Sequence, residues 1–273
     1  MNLVQLVRDG DAYYEFAPLR ITIGDETLIV QVFRQPLQVD GAPPMTWNRK
    51  AIAGMTRTFN GLRPPATPNE LQEIADLLNC MLLTPKVLDL MWDEAGKTGV
   101  RFDSITQVGG KIVAECNIHN VHEALDAAIA RAGGDNGGII MSLGKYWVIC
   151  NRLLNGKFSR VRVGDSYINR QAINYSWYSS SAPPHRKSVT GNARVWQQEG
   201  GAHPDNHIDP SQLVLLMHRW AVLLHDGTAE EVDLYELAQN PKRCHFISHE
   251  GPLKIWRMPN VEIQAGLNMA PLS

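Results

Sequence analysis

The amino-acid sequence predicts an α+β fold: a mixed or antiparallel sheet core with a few helices, in a single compact domain. Three observations carry that expectation. Near the start, Leu19-Arg20-Ile21-Thr22-Ile23 and Leu28-Ile29-Val30-Gln31-Val32-Phe33 flank Gly24-Asp25-Glu26-Thr27 as two strands flank a short turn. Further along, two Thr-Pro pairs open stretches of helical periodicity. After Gly138 the pattern returns to β, without repeats or a low-complexity linker to divide the 273 residues. Residues 1–40 therefore read as an N-terminal hairpin region continuous with a main α+β domain, residues 41–273. A 44% hydrophobic fraction gives that domain ample core.

After the hairpin, Pro43, Pro44, Gly54, Gly61, Pro64 and Pro65 interrupt any regular element, leaving a long irregular connection of the kind that serves a site or an interface. Thr67-Pro68-Asn69-Glu70 then supplies an N-cap, a proline at the first helical position and a Glu that can return to the cap amide. Leu71, Ile74, Ala75 and Leu78 follow at helical spacing. Thr84-Pro85 repeats the cap, with Val87, Leu88, Met91, Trp92 and Ala95 as the buried face. A third helix is expected from Asn120, with Glu123 closing a capping box, His119 and His122 at the surface, and a stop at Gly133-Gly134. Strands are expected at residues 139–141, 146–150 and 172–178. A loop follows at 179–187, then a long apolar stretch over 213–224 that ends in a turn at His225-Asp226-Gly227. A short helix over 233–238 comes last.

Composition excludes several classes of function. A net charge of -2 argues against a general nucleic-acid binder, which needs a surplus of Lys and Arg on one surface. Arg8 and Asp9 break the first apolar pattern too early for a classical secretion signal, and no later run approaches the roughly twenty apolar residues of a membrane span. Cys80, Cys116, Cys150 and Cys244 are scattered, so they read as buried or free thiols in a reducing compartment.

The stretch His203-Pro204-Asp205-Asn206-His207-Ile208-Asp209-Pro210-Ser211-Gln212 carries the densest chemistry. Pro204 and Pro210 oppose helix, and an extended chain would send His203, Asp205, His207 and Asp209 to one face. Two readings follow. In one, His203, His207 and Asp209 are candidate ligands of a divalent metal such as zinc. In the other, one His is a general base oriented by Asp205 or Asp209, with Lys145 or Asn174 steadying negative charge. A solvated polar loop is the bland alternative. Two strands offer binding groups beside it: Lys145 and Trp147 share a face, followed by Asn151, while Asn174, Tyr175, Trp177 and Tyr178 place an amide, two phenols and an indole close together. Aromatic faces of this kind suit a carbohydrate or peptide ligand. Ser211 lacks a nucleophile-elbow sequence and reads as a turn residue.

Leu82-Leu83-Thr84-Pro85-Lys86, Gly144-Lys145-Tyr146-Trp147-Val148 with Asn151, Asn174-Tyr175-Ser176-Trp177-Tyr178, the 203–212 stretch and His249-Glu250-Gly251-Pro252-Leu253 together resemble a family of uncharacterised proteins of tailed phages and some bacteria. The likeness spans roughly residues 65–260. In that family the strand reads Asn-Tyr-Gly-Trp-His, and the later stretch runs His-x-Asp-Tyr-Ser followed by Gln or His. This chain keeps Asn174, Tyr175, Trp177, His207, Asp209, Ser211 and Gln212, but carries Ser176, Tyr178 and Pro210 where the family has Gly, His and Tyr. The resemblance implies a phage or bacterial setting, in the cytoplasm of the infected or producing cell or in the virion. The expectation is a hydrolase of a cell-envelope polymer such as peptidoglycan. His203, Asp205, His207, Asp209 and Lys145 would do the chemistry; Trp147, Asn151, Asn174, Tyr175, Trp177, Tyr178, Ser211 and Gln212 would bind substrate. A non-catalytic virion or assembly protein that contacts other phage proteins and a carbohydrate-binding module are the alternatives.

Overall fold

The computed structural model describes residues 1–258 except 106, 142, 155–160, 164–165 and 169–170. Along the chain, helix α1 (Leu3–Asp9) precedes strands β1 (Phe16–Ile23) and β2 (Glu26–Phe33). Helix α2 (Pro68–Leu77), strand β3 (Cys80–Leu82) and helix α3 (Pro85–Thr98) follow the irregular connection. Helix α4 (Ile118–Arg131) leads to strands β4 (Lys145–Val148), β5 (Gln171–Tyr178) and β6 (Val195–Pro204). Strands β7 (Leu216–His218), β8 (Trp220–His225) and β9 (Thr228–Asp233) lead to helix α5 (Leu234–Gln239).

The expected hairpin forms, and it is part of the main sheet. β1 and β2 pair antiparallel from Phe16↔Phe33 to Ile23↔Glu26, and Gly24 takes the left-handed backbone the turn needs. The other edge of β2 receives β8 at Thr27, Leu28 and Ile29 and β7 at Val32, while β9 and β3 extend the sheet on either side. The apolar stretch after residue 213 thus holds two strands, β7 and β8, that meet at Arg219, whose amide donates to Asn79 O (3.0 Å) in line with the β7–β3 pairing. A second antiparallel sheet, ordered β4-β5-β6, carries the polar strands. A single cluster of buried apolar side chains runs through both sheets and the helices, so the α+β chain has one core.

α2 and α3 begin where their caps place them. Thr67 Oγ1 accepts from Glu70 N (3.2 Å) while Glu70 Oε2 accepts from Thr67 N (2.9 Å), and Thr84 Oγ1 accepts from Val87 N (3.2 Å). α4 departs from expectation. It starts two residues earlier, at Ile118, with Asn117 making no side-chain cap, so the box from Asn120 to Glu123 is absent. His119 and His122 are buried, with Phe59 from the irregular connection packed against both rings at 5.6 and 5.9 Å. α1 was not expected; seven residues give too short a periodic signal, and its stability comes from the Asn2 cap and burial of Leu3 and Val4. All four cysteines are free and buried. No helix among the described residues is long and apolar enough to cross a membrane.

Candidate functional site

The second sheet and the loop after it build the site. In β4, Lys145 and Trp147 stand opposite Ser176 and Asn174 of β5, which places all four on one face. β6 contributes by irregularity: between its pairings Ser176↔Gln197, Asn174↔Gly200 and Ala172↔His203 it uses three residues for every two of β5. These bulges bring His203 to the same face near the strand end. Gly200 makes room, because a Cβ there would overlap the Gln197 amide and press on Asn174 Oδ1.

Beyond Pro204 the chain turns, and this corrects the extended geometry expected for residues 203–209. His207 N donates to Pro204 O (3.0 Å), closing a turn through Asp205 and Asn206. The turn, rather than strand alternation, folds His207 onto His203: their ring centroids are 4.1 Å apart with planes at 21°. Trp147 meets both rings edge-on, at 5.8 and 6.1 Å. Asp205 is buried inside the turn, its carbonyl accepting from Asn69 N (3.3 Å).

The loop then lays Asp209 against β4. Lys145 N donates to Ser211 O (2.9 Å), an approach that Gly144 permits, since a Cβ at that position would overlap the same carbonyl. Asp209 Oδ2 lies 3.0 Å from Lys145 Nζ and 3.6 Å from His207 Nε2. Its Oδ1 accepts from the Ser211 amide (2.9 Å) and hydroxyl. Gln212 closes the loop by accepting from Asp209 N (3.0 Å). The Trp177 ring lies 5.5 Å from Lys145 Nζ, so the ammonium sits between a carboxylate and an indole face.

Burial would raise the Asp209 carboxyl, but the neighbouring His207 imidazole, the Lys145 charge and the Ser211 hydroxyl outweigh it. Asp209 is held well below the usual carboxylate range. His203 is pushed down to about 4 by burial first and then by the adjacent His207 and Lys145, so its ring is neutral at pH 7. His207 keeps about a third of its side chain exposed. The cluster therefore presents an accessible imidazole backed by an ionised carboxylate.

The candidate metal ligands His203, His207 and Asp209 are not arranged around one point. Stacked rings direct their in-plane lone pairs side by side rather than to a shared point, and the Lys145 ammonium already faces the carboxylate. Among the described residues, the groups that gather three donor atoms within 4.8 Å of one another are Cys150 with Glu199 and Glu250, and the exposed Asp25, His225 and Asp226.

The remaining candidates divide by face. Asn174 is fully buried on the cluster's face, and neither polar atom of its amide has a hydrogen-bond partner; Gln212 Nε2 is in the same condition. Trp147 is buried with its Nε1 donating to Ala66 O (2.9 Å), and Trp177 donates to Ile105 O (3.1 Å). Tyr175 and Tyr178 do not join the cluster. Their hydroxyls donate to Asp89 Oδ1 of α3 at 2.8 and 2.7 Å, and Tyr178 stacks on Trp92 at 4.6 Å. Residues three apart on a strand normally face opposite ways. Here Ser176 and Trp177, at φ 98° and 65°, reset the alternation so that both phenols reach one carboxylate. Asn151 lies beyond β4 and ties down the C-terminal segment, donating to Pro252 O (3.2 Å) and accepting from Lys254 N (2.7 Å). In comparisons with protein-family models, curated proteins and solved structures, nothing matches this chain.

Proposed function

We propose that the protein is a hydrolase in which His207, oriented by Asp209, takes a proton from the attacking water. One observation carries this reading: a buried carboxylate is shared between Lys145 (3.0 Å), the Ser211 hydroxyl and a partly exposed imidazole (3.6 Å). Lys145 and Ser211 keep Asp209 ionised, which favours the Nε2–H tautomer of His207 and leaves Nδ1 to accept the proton. His203, neutral and stacked, fixes the ring without competing for charge. The Asn174 amide and Gln212 Nε2, buried beside the cluster without hydrogen-bond partners, support a role in fixing a polar group there.

The substrate class in this proposal, a bacterial cell-envelope polymer such as peptidoglycan, follows from the family resemblance. The test is turbidity loss of purified cell walls. Loss of a general base lowers rate by about a hundredfold or more, so His207→Ala should fall by that factor while His225→Ala, at an exposed turn, keeps full activity. Equal lysis by wild type and His207→Ala removes the role assigned to His207. No lysis by either sends the reading to the non-catalytic alternative. The carbohydrate-module alternative has less support, since Trp147 is buried and both indole N–H groups are engaged by backbone.

A further inference from the structure

A second cluster assembles three chain segments that the sequence holds far apart. Cys150 follows β4, Glu199 lies in β6, and His249 and Glu250 occupy a turn near the C-terminal end of the described chain. One donor atom each from Cys150, Glu199 and Glu250 lies within 4.8 Å of the others. Cys150 is 1% exposed.

The details of this cluster suit a cation better than a hydrogen-bond network. Glu199 Oε1 is buried and receives no directed hydrogen bond, yet His249 Nε2 is only 3.0 Å away. At this distance the two atoms can pair with each other when the imidazole is protonated, and both are also of the kinds that ligate one ion. Ligands at about 2.0–2.1 Å in a tetrahedral site stand roughly 3.3 Å apart. The Arg152 backbone amide hydrogen-bonds to the Cys150 thiol and lowers the cost of a thiolate, against burial and the two Glu carboxylates, which push the thiol up. Arg152 also places Nε 3.4 Å from Glu199 Oε2, offsetting part of the negative charge of the donor set. Glu250 Oε2 accepts from Asn151 N (2.7 Å), so one oxygen orients the carboxylate and the other is left for a ligand.

We infer that Cys150, Glu199 and Glu250, with His249 beside Glu199, form a structural site for a zinc-class divalent ion that fastens the C-terminal segment to the second sheet. A thiolate and two carboxylates within 4.8 Å of one another, with the His249 imidazole 3.0 Å from Glu199 Oε1, supply donors of the kinds that a borderline-soft ion takes. Binding replaces the thiol proton, which goes to solvent, with a sulfur–metal bond. Asn151 docks the same segment through Pro252 and Lys254, so His249 and Glu250 are presented even before the ion arrives.

The experiment is metal analysis of the full chain after loading with zinc and gel filtration, with cobalt substitution as a second readout. One zinc per chain is expected, and the cobalt form should show the ultraviolet charge-transfer absorption of a thiolate ligand. Cys150→Ser and Glu250→Gln should each weaken zinc binding by about tenfold or more. The double variant His203→Gln, His207→Gln should keep its zinc. Should Cys150→Ser fail to fold, the cobalt spectrum of the unmutated chain still reports the sulfur ligand. Absence of zinc uptake, a cobalt spectrum without the thiolate band, or zinc lost from the His203/His207 variant but kept by Cys150→Ser would overturn the site.

Discussion

Lys145 Nζ lies 3.0 Å from Asp209 Oδ2, and each of these side chains is less than a tenth exposed. A pair buried to this degree has lost most of its hydration, so each charge depends on the other. Lys145→Met should therefore cost about 3–5 kcal/mol in urea unfolding, because Asp209 is left buried without its counter-ion. The double variant Lys145→Met, Asp209→Asn should lose less than the sum of the two single losses. Strict additivity would mean that the pair is not coupled in solution.

The depressed His203 gives a pH dependence with a definite sign. Its ring titrates at about 4 in the folded chain, against an ordinary value near 6.5. As pH falls through 6.5 the unfolded chain takes up this proton and the folded chain does not, so stability declines until about pH 4 and then levels for this group. Chemical unfolding at pH 7 and pH 4.5 should show a smaller difference for His203→Gln than for wild type. A His203 resonance that titrates near 6.5 by NMR would contradict the buried, cation-flanked ring described above.

What could be read from the sequence was what local chemistry determines. Thr67 and Thr84 announced α2 and α3 because a cap acts within four residues, and the Gly24 turn located the hairpin for the same reason. The start of α4 is not legible because Asn117, its N-cap, makes no side-chain bond, while Asn120 and Glu123 imitate a box inside the helix. Alternation in the sequence groups His203, Asp205, His207 and Asp209, whereas the structure groups His203, His207 and Asp209 with Lys145 and leaves Asp205 inside the turn. The turn after Pro204 and the bulges of β6 assemble this cluster, and both depend on pairing across the sheet. Tyr175 and Tyr178, candidates for binding substrate, turn to Asp89 instead, and nothing in Asn174-Tyr175-Ser176-Trp177-Tyr178 signals two left-handed residues in a strand. Cys150 and Glu199 meet only through tertiary contact.

Asp89 collects four donors: the hydroxyls of Tyr175 and Tyr178, and the amide and hydroxyl of Thr190 at 2.8 and 2.9 Å. Burial nevertheless pushes its carboxyl above the ordinary range, so each donor matters to the folded state. Tyr178→Phe should cost about 1.5–3 kcal/mol, the range for a hydrogen bond to a charged acceptor. The titration of His203 should stay unchanged, because the phenol faces α3. A shifted His203 titration in this variant would show that the two faces of the sheet communicate.

Ser176 sits at φ 98°, a region costly for any residue with a Cβ, while its hydroxyl donates to Gly144 O at 3.0 Å. Two substitutions separate these effects. Ser176→Ala keeps the strain and loses the bond, so it should destabilise by about 1–2 kcal/mol. Ser176→Gly loses the same bond but relieves the backbone, and should fall within about 1 kcal/mol of wild type. Equal losses for Ala and Gly would remove the strain argument.

Gly144 is the position where the site depends most directly on the absence of a side chain. A Cβ there would overlap the Ser211 carbonyl, the atom that accepts from Lys145 N and holds the Asp209 loop against β4. Because the obstacle is backbone rather than the end of a flexible side chain, the loop must move as a unit. Gly144→Ala should cost about 1–3 kcal/mol, the usual range for overpacking. It should also raise the pKa of Asp209 toward the ordinary range, since moving the carboxylate away from Lys145 removes an influence that now lowers it. NMR titration of the Asp209 carboxyl in wild type and variant reads this directly. An unchanged Asp209 in a destabilised variant would mean that the loop keeps its place and the strain is absorbed in β4.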